Sequence, residues 1–525
     1  MNSPSKDSYS VKACHVCKGL RVYYRFSVSG HRVVRCEDCG LVFLNPQPSD
    51  DELARIQEAG NFSGGGSEAG LKEDVTRRYL SEIRRYHGLE TGRLLEIGCG
   101  KGDFRGSAEA AGWQVTAIEF SPDACQLSQQ RLKNGQVSCG ELPPAGLASG
   151  QFDLCVVSDV IEHVRLPFDF LQEIHRVLKP GGTLLIATPS IDSWSVRVLR
   201  QRQVEFMAGR LTYFDRQTIE TALFKSGFRE IIVQTGVKNL KVANGTMIFS
   251  RKAELRAQPL LSVIVPAYNE AKTFGTLMEA LLRKELTGLQ TEIIVVESNS
   301  TDGTRETALK YKDHPKVKLV LEEHPRGKGH AVRAGLHAAT GDYVLIQDAD
   351  LEYDLEDYDA LLEHLVAGRS AFVLGARHGG GNVLKMRQFT GQLGLSLFLN
   401  LGHWFFATLI NVLFWQRLHD PFTMFKIFRR DCLSGLEFEC NRFDFDFELL
   451  VKLIRKGYHP VELPVNYRSR SFKEGKKVRM FRDPISWLCA LARLRWMKID
   501  PMSVIGRAHQ TGKESGSDKT DDPEP

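Results

Sequence analysis

Two successive series of short apolar runs, each separated by helix-like stretches, leave few folds open to this chain. The first series is RLLEIG, VTAIE, FDLCVVS and TLLIAT, beginning after about residue 75. The second is LSVIVPAYN, TEIIVVES, KVKLVLEE, DYVLIQDAD and SAFVLGAR, beginning at residue 261. Apolar runs without polar alternation suit strands buried on both faces, and the helical stretches between them supply the crossovers of a parallel sheet. Different polar turns follow the strands of each series. The pattern therefore predicts two α/β domains rather than one long sheet. A chain of 525 residues agrees, because single hydrophobic cores seldom grow so large.

The remaining segments divide the chain further. Residues 1–12 are polar, lack the apolar core of a secretory signal, and are expected to be disordered. Residues 13–48 hold two CxxC pairs. A linker is expected over 49–74, where EAGNFSGGGSEAG (58–70) is rich in Gly and Ser. The first α/β domain is expected over 75–250, a second linker over 251–260, the second domain over 261–500 and a disordered tail over 501–525. A net charge of +5 is too small to argue for nucleic acid, and residues 13–48 lack a basic, aromatic-studded face. No nucleic-acid partner is expected.

Cys14 and Cys17 form one CxxC pair, Cys36 and Cys39 the other. Each such turn presents two sulfurs, so the spacing fits a four-thiolate zinc ribbon. Four protein ligands leave no open position for water, which makes the role structural. His15 and Asp38, inside the turns, are expected to be exposed rather than ligands. Cys99, Cys125, Cys139, Cys155, Cys432, Cys440 and Cys489 are scattered, a reduced, cytosolic pattern rather than a disulfide framework.

LLEIGCGKGDF (94–104) is an apolar strand running into a loop with Glu96, Gly98, Gly100 and Gly102 at alternate positions. Glycines there let the backbone turn sharply and approach a ligand. VTAIE ends in Glu119, whose carboxylate can accept both hydroxyls of a ribose. The ligand is then a dinucleotide or S-adenosylmethionine. With CGELPPAGLASGQFDLCVVSDVIEHV (139–164) and VLKPGGTLLIATPS (177–190), the set resembles class I S-adenosylmethionine-dependent methyltransferases over about residues 75–235. The resemblance implies that Glu96, Gly98, Gly100 and Gly102 surround the methionine moiety. It implies that Glu119 holds the ribose, Glu141 lies on the adenine side and Asp159 lies beside the cofactor cleft. Methyl transfer is an in-line displacement in which the protein mainly positions and desolvates. His163 is the nearest candidate base for an oxygen or carbon nucleophile. The cysteine ribbon with GLVFLNPQP is similar to the arrangement in sugar C-methyltransferases, which implies a sugar or glycolipid acceptor.

LSVIVPAYNE (261–270), EIIVVESNSTDGT (292–304) and GKGHAVRAGLHAATGDYVLIQDADLEYD (327–354) together resemble family-two glycosyltransferases of the GT-A fold. Polyprenyl-phosphate sugar synthases of the dolichyl-phosphate mannose synthase type are the most similar, over about residues 261–477. A nucleoside diphosphate leaving group concentrates negative charge, which Mg or Mn held by hard oxygens neutralises. Asp348 and Asp350 supply such oxygens, and the resemblance adds Glu352. It also implies that Pro266, Tyr268, Glu270 and Glu297 contact base and ribose. Glu297 and Ser298 stand here where two acids are usual. Lys328, Arg333 and Arg377 are basic groups expected to meet phosphate. YRSRSFKEGKK (467–477) resembles a loop that closes over phosphate, with Arg470 and Lys476 as the contacts. An inverting transfer to a hydroxyl needs a base, for which Asp446 is the candidate; transfer to an ionised phosphate oxygen does not.

Residues 393–415 are apolar but interrupted by Asn400, His403 and Asn411, and residues 482–498 mix Trp, Leu and Arg. The first reads as an interfacial or groove-forming helix and the second as a surface-binding amphipathic helix, so peripheral contact with the cytoplasmic face of a membrane is expected, without a span. The fold class expected is α/β: a Rossmann-like methyltransferase domain plus a GT-A domain, with a small N-terminal zinc ribbon. The function expected is bifunctional methyl and glycosyl transfer. The alternative is a glycosyltransferase whose front half is a non-catalytic S-adenosylmethionine-binding and zinc-ribbon module.

Overall fold

The computed structural model describes residues 9–59, 69–88, 90–100, 102–130, 136–140, 147–192, 209–237, 245–254, 256–377, 393–442, 444–468 and 482–497. The chain forms two compact units that divide between Leu255 and Arg256.

The first unit opens with strands β1 (Val22–Val28), β2 (His31–Cys36) and β3 (Val42–Leu44). Next come β4 (Arg93–Ile97), β5 (Gln114–Glu119), β6 (Gln136–Cys139), β7 (Phe152–Ser158) and β8 (Leu178–Pro189). They are followed by β9 (Thr212–Tyr213), β10 (Phe228–Val237) and β11 (Gly245–Lys252). Seven of these form one sheet in the order β10-β11-β8-β7-β4-β5-β6, parallel except where β11 inserts antiparallel between β10 and β8. The four apolar runs of the first series are its central strands, and β4 and β7 are buried almost end to end. Leu94, Leu154, Val156, Leu185 and Phe249 make a core with Ile83 and Tyr86 of the helix Ala69–His87. Each fully buried side chain of this kind contributes roughly 1.5–3 kcal/mol.

A second, four-stranded sheet runs β1-β2-β3-β9. Its last strand comes from residues 212–213, far from the cysteine pairs in sequence, so the ribbon shares a sheet with the chain that follows it. Arg165 ties the same region down, donating to the Asp50 carboxylate at 2.6 Å, the Pro48 carbonyl at 2.9 Å and Gln47 at 3.2 Å. The stretch 49–74, expected to be a linker, contains the helix Asp50–Ala59. Tyr9, inside a stretch expected to be disordered, exchanges backbone hydrogen bonds with Gln47. The scattered cysteines also differ from the reduced pattern expected: Cys125, in the helix Pro122–Gln130, is disulfide-bonded to Cys139 at the end of β6.

The second unit holds β12 (Leu260–Ala267), β13 (Gln290–Glu297), β14 (Val317–Leu321), β15 (Tyr343–Ile346), β16 (Phe372–Ala376), β17 (Lys426–Arg429) and β18 (Val461–Pro464). They form one sheet in the order β14-β13-β12-β15-β17-β16-β18. The first four are mutually parallel, and β17 runs antiparallel to both β15 and β16. Central β12 is buried along nearly its whole length, whereas β14, at the edge, has no fully buried residue and carries the exposed Lys318. The helix Phe274–Arg283 covers the sheet with Phe274, Leu277, Met278 and Leu281, an i, i+3, i+4, i+7 stripe. The expected second linker, 251–260, is shorter than thought, since β11 runs to Lys252 and β12 begins at Leu260.

Candidate functional sites

The four CxxC sulfurs lie within 4.8 Å of one another. In both turns the backbone folds back on the first cysteine: Lys18 N donates to the Cys14 carbonyl at 2.9 Å, and Gly40 N to the Cys36 carbonyl at 3.1 Å. Zinc–sulfur bonds of roughly 2.3 Å imply tetrahedral sulfur–sulfur edges of about 3.8 Å. The observed Cys14–Cys39 and Cys17–Cys36 separations are 3.5 and 3.4 Å, so the donor set fits that ion. His15 was expected to be exposed but is buried. Asp38 is partly buried and accepts from Arg21 at 3.0 Å. If the cluster holds zinc, elemental analysis of chain purified without chelator should find roughly one zinc per chain. Cys36→Ser should abolish it and lower the melting temperature of the first unit. An unchanged melting temperature after zinc loss counts against a structural role.

The glycine-rich loop follows β4. Gly98, Gly100 and Gly102 all adopt positive φ. A Cβ on Gly98 would meet the Val160 side chain at 2.3 Å, whereas one on Gly100 would project into open space. Gly98 thus serves packing, and Gly100 borders open space. The turn is fixed from below by the buried Arg105, which donates to the Ser128 hydroxyl at 2.9 Å and carbonyl at 3.0 Å. Across from Gly100, Glu119 at the end of β5 accepts from Gly100 N at 2.6 Å and from Phe120 N and Ser121 N at 2.9 and 3.0 Å. Glu96 is buried within β4. The sequence reading missed Phe120, a partly exposed aromatic ring directly after Glu119. Glu141 lies outside the described residues.

Asp159 ends the turn after β7 with φ +53°, its amide donating to the Ala187 carbonyl at 2.9 Å. His163 follows in the short 3-10 turn Ile161–His163. Burial depresses its pKa to about 4, and its Nδ1 lies 2.6 Å from the Gly209 carbonyl. A carbonyl only accepts, so Nδ1 carries the proton and the ring is neutral near pH 7. Glu162 accepts from the Thr188 hydroxyl at 2.9 Å, and its carbonyl accepts from Leu211 N at 2.8 Å. The segment that holds His163 and Glu162 is thus hydrogen-bonded to Leu211, the residue before β9, the strand shared with the ribbon sheet.

In the second unit the carboxyl end of β15 presents Asp348, Ala349 and Asp350. Asp348 pairs with the ammonium of Lys328, at the start of the helix Lys328–Ala338. Burial disfavours that charge, yet Asp348, Asp446 and Asp350 together raise the Lys328 pKa. Asp446 is itself buried, and burial raises its pKa against the opposing influence of Lys426 and Lys328. Asp350 accepts from Glu352 N at 3.2 Å. Glu352 turns to the Tyr467 hydroxyl at 2.5 Å, beside a cleft of about 810 Å³ lined by Lys284, Tyr353, Tyr467 and Arg468. Among the described residues only the cysteines gather three or more metal-binding groups, so Glu352 does not converge with Asp348 and Asp350 as expected.

Pro266, Tyr268 and Glu270 lie at and after the end of β12, with Tyr268 exposed and Glu270 partly so. Three expected ligand contacts are otherwise engaged. Glu297 is fully buried, accepting from Ser300 N at 2.7 Å and Asn299 N at 3.2 Å. Arg377 was expected to meet phosphate, but it forms a buried ion pair with Asp420 at 2.7 Å. Arg333 donates to the Phe438 carbonyl at 2.6 Å and to Asn441. Both arginines are claimed by acceptors more than 40 positions away, which local pattern does not reveal. Lys426, wholly buried near Asp446, was also missed. Arg470 and Lys476 lie outside the described residues.

Comparison with known proteins agrees with this division. Residues 71–233 match a methyltransferase domain model, and residues 262–436 match the model of glycosyl transferase family 2. The chain is 28% identical over 218 residues to a dolichol-phosphate mannosyltransferase of Pyrococcus furiosus, covering 41% of this chain and 58% of that protein. It is 30% identical over 224 residues to a dolichyl-phosphate beta-glucosyltransferase of Trichomonas vaginalis, covering 40% of this chain and 66% of that one. The chain thus spans less than two thirds of the length of these relatives. Among solved structures, a SAM-dependent methyltransferase of Methanosarcina mazei aligns at 19% identity and TM-score 0.29, over 33% of this chain and 98% of that one.

Proposed function

Because the chain carries a methyltransferase domain and a glycosyl transferase family 2 domain, we propose that it is a bifunctional enzyme of sugar or glycolipid metabolism. The first unit transfers a methyl group from S-adenosylmethionine to a sugar, glycolipid or related small molecule. The second transfers a sugar from a nucleotide donor to an acceptor, with polyprenyl phosphate as the acceptor class. The observation that carries this reading is the pair of ligand-facing edges. Each sits where parallel strands end, one built from glycine and Glu119 and the other from Asp348 and Asp350.

In the first unit the open face at Gly100 admits the methionine portion, and the Glu119 carboxylate orients the ribose hydroxyls. Bound S-adenosylmethionine supplies the methyl group and its own leaving group. His163 is the candidate base, but with Nδ1–H given to Gly209 and burial holding its pKa down to about 4 it is a weak one near pH 7. In the second unit, Asp348 and Asp350 offer the hard oxygens that Mg or Mn prefers. Such an ion would screen the charge of the departing diphosphate. Lys328 places a second positive charge at the same edge; Asp446, a buried carboxylate whose pKa burial raises, would serve as base only for a hydroxyl acceptor, since an ionised phosphate oxygen needs none. The deciding experiment incubates the full chain with a panel of nucleotide sugars, Mg or Mn, and polyprenyl phosphate, scored by released nucleoside diphosphate. A parallel incubation scores S-adenosylhomocysteine. Absence of both products with every donor ends this reading.

The acceptor class draws support from the helix Leu393–Phe414. Its outward side carries Leu401, Trp404 and Phe405, then Val412 and, just beyond the end, Trp415, while Asn400 and His403 point inward. That inversion suits a surface resting on lipid, and we place the second unit peripherally on a membrane. No helix among the described residues is long and apolar enough to cross one. Trp404→Glu combined with Trp415→Glu should reduce co-sedimentation with phospholipid vesicles at least about fivefold; equal retention would refute the contact.

A further inference from the structure

Sheet order β14-β13-β12-β15 sets four parallel strand ends side by side, each followed by a polar residue: Glu322, Ser298, Tyr268 and, after Gln347, Asp348. Ligands of open α/β sheets lie across such an edge. A diphosphate held at Asp348 and Asp350 therefore extends its nucleoside past Tyr268 toward Ser298 and Glu322.

At that far end most polar groups are already committed. Both oxygens of Glu297 accept from backbone amides. Asn299 donates to the Glu323 carbonyl at 2.8 Å and accepts from Arg305 at 2.7 Å. The Ser298 hydroxyl lies 2.6 Å from one oxygen of the buried Glu322, whose other oxygen lies 2.5 Å from His330 Nδ1. Glu322 is 7% exposed and His330 25% exposed. His330 stands in the first turn of the helix Lys328–Ala338, two residues beyond the lysine that pairs with Asp348. One turn thus faces the acids with Lys328 and the nucleoside end with His330.

We propose that His330, oriented by the Ser298–Glu322 pair, reads the base of the donor nucleotide through Nε2. In the tautomer that Glu322 selects, with the proton on Nδ1, Nε2 is the acceptor. An acceptor there favours bases that carry a ring N–H, the imide of uracil or the lactam of guanine. It disfavours adenine and cytosine, whose corresponding ring nitrogens carry lone pairs. This inference rests on the glycosyl-transfer reading and adds the class of base to it.

The test is calorimetric binding of UDP, GDP, ADP and CDP to the full chain with Mn²⁺, for wild type, His330→Ala and Glu322→Gln. Wild type should bind UDP or GDP at least about tenfold tighter than ADP and CDP, the discrimination typical of one buried hydrogen bond. His330→Ala should shrink that ratio to within about threefold. Glu322→Gln should also lower it, because an amide no longer fixes the ring tautomer, and it keeps the shape of the carboxylate if His330→Ala misfolds. Wild type without preference, or variants that keep the wild-type ratio, overturn the role of His330 and leave glycosyl transfer standing. Wild type that binds none of the four overturns both.

Discussion

Asp350→Ala is expected to cut sugar transfer by about 10²–10³-fold while S-adenosylmethionine affinity stays within about twofold, the loss typical of removing one charge-stabilising group from an active site. The carboxylate of Asp348 is already paired with Lys328. We assign the incoming cation to Asp350, the second acid at this strand end. One of its contacts is a 3.2 Å acceptor bond to Glu352 N, and the loss of a bond of that kind costs about 1 kcal/mol. Asp350→Asn keeps that acceptor and removes the charge. If charge is what matters, it should lose nearly as much activity as alanine. If Asp350 only shapes the turn, asparagine should restore most of the rate. The readouts are nucleoside diphosphate release at saturating Mn²⁺ and cofactor binding by calorimetry. A loss below tenfold, or a matching drop in cofactor affinity, removes Asp350 from the proposed mechanism.

What sequence made legible follows from the range of the interaction involved. Strands such as β4, β7, β12 and β15 are local apolar runs, and the ligand-facing turns sit at their ends, so both were visible in the chain itself. Two CxxC turns are likewise local geometry. Hidden were the pairings that only tertiary structure makes. Arg377 looked like a phosphate ligand because its partner, Asp420, lies 43 positions downstream. Glu297 is the local exception, its carboxylate held by the amides of Asn299 and Ser300 in its own turn. His15 looked exposed because nothing local signals that its ring lies edge-on to Phe43 of β3, 6.1 Å between centroids. Cys125 and Cys139 look unrelated until the helix Pro122–Gln130 is laid beside β6.

Gly100→Val should abolish S-adenosylmethionine binding, with affinity falling at least about 100-fold, and should leave sugar transfer intact. Gly100 sits at φ +51°, a region that β-branched residues enter only under strain of roughly 1–3 kcal/mol. Strain alone is too small to unfold a unit with a core of this size. The decisive effect is placement: a Cβ at this position enters space that no protein atom within 4 Å occupies, and valine adds two methyl groups beyond it. Those methyls would stand opposite Glu119, whose carboxylate lies 2.6 Å from the Gly100 amide. Gly98→Val is the contrasting variant, because its Cβ would strike Val160 at 2.3 Å and damage packing directly. The expected pattern is a near-normal melting temperature without cofactor binding for Gly100→Val, and a lowered melting temperature for Gly98→Val. Should Gly100→Val bind the cofactor normally, the open space beside the loop is not the cofactor cradle, and the methyl-transfer half of the proposal loses its site.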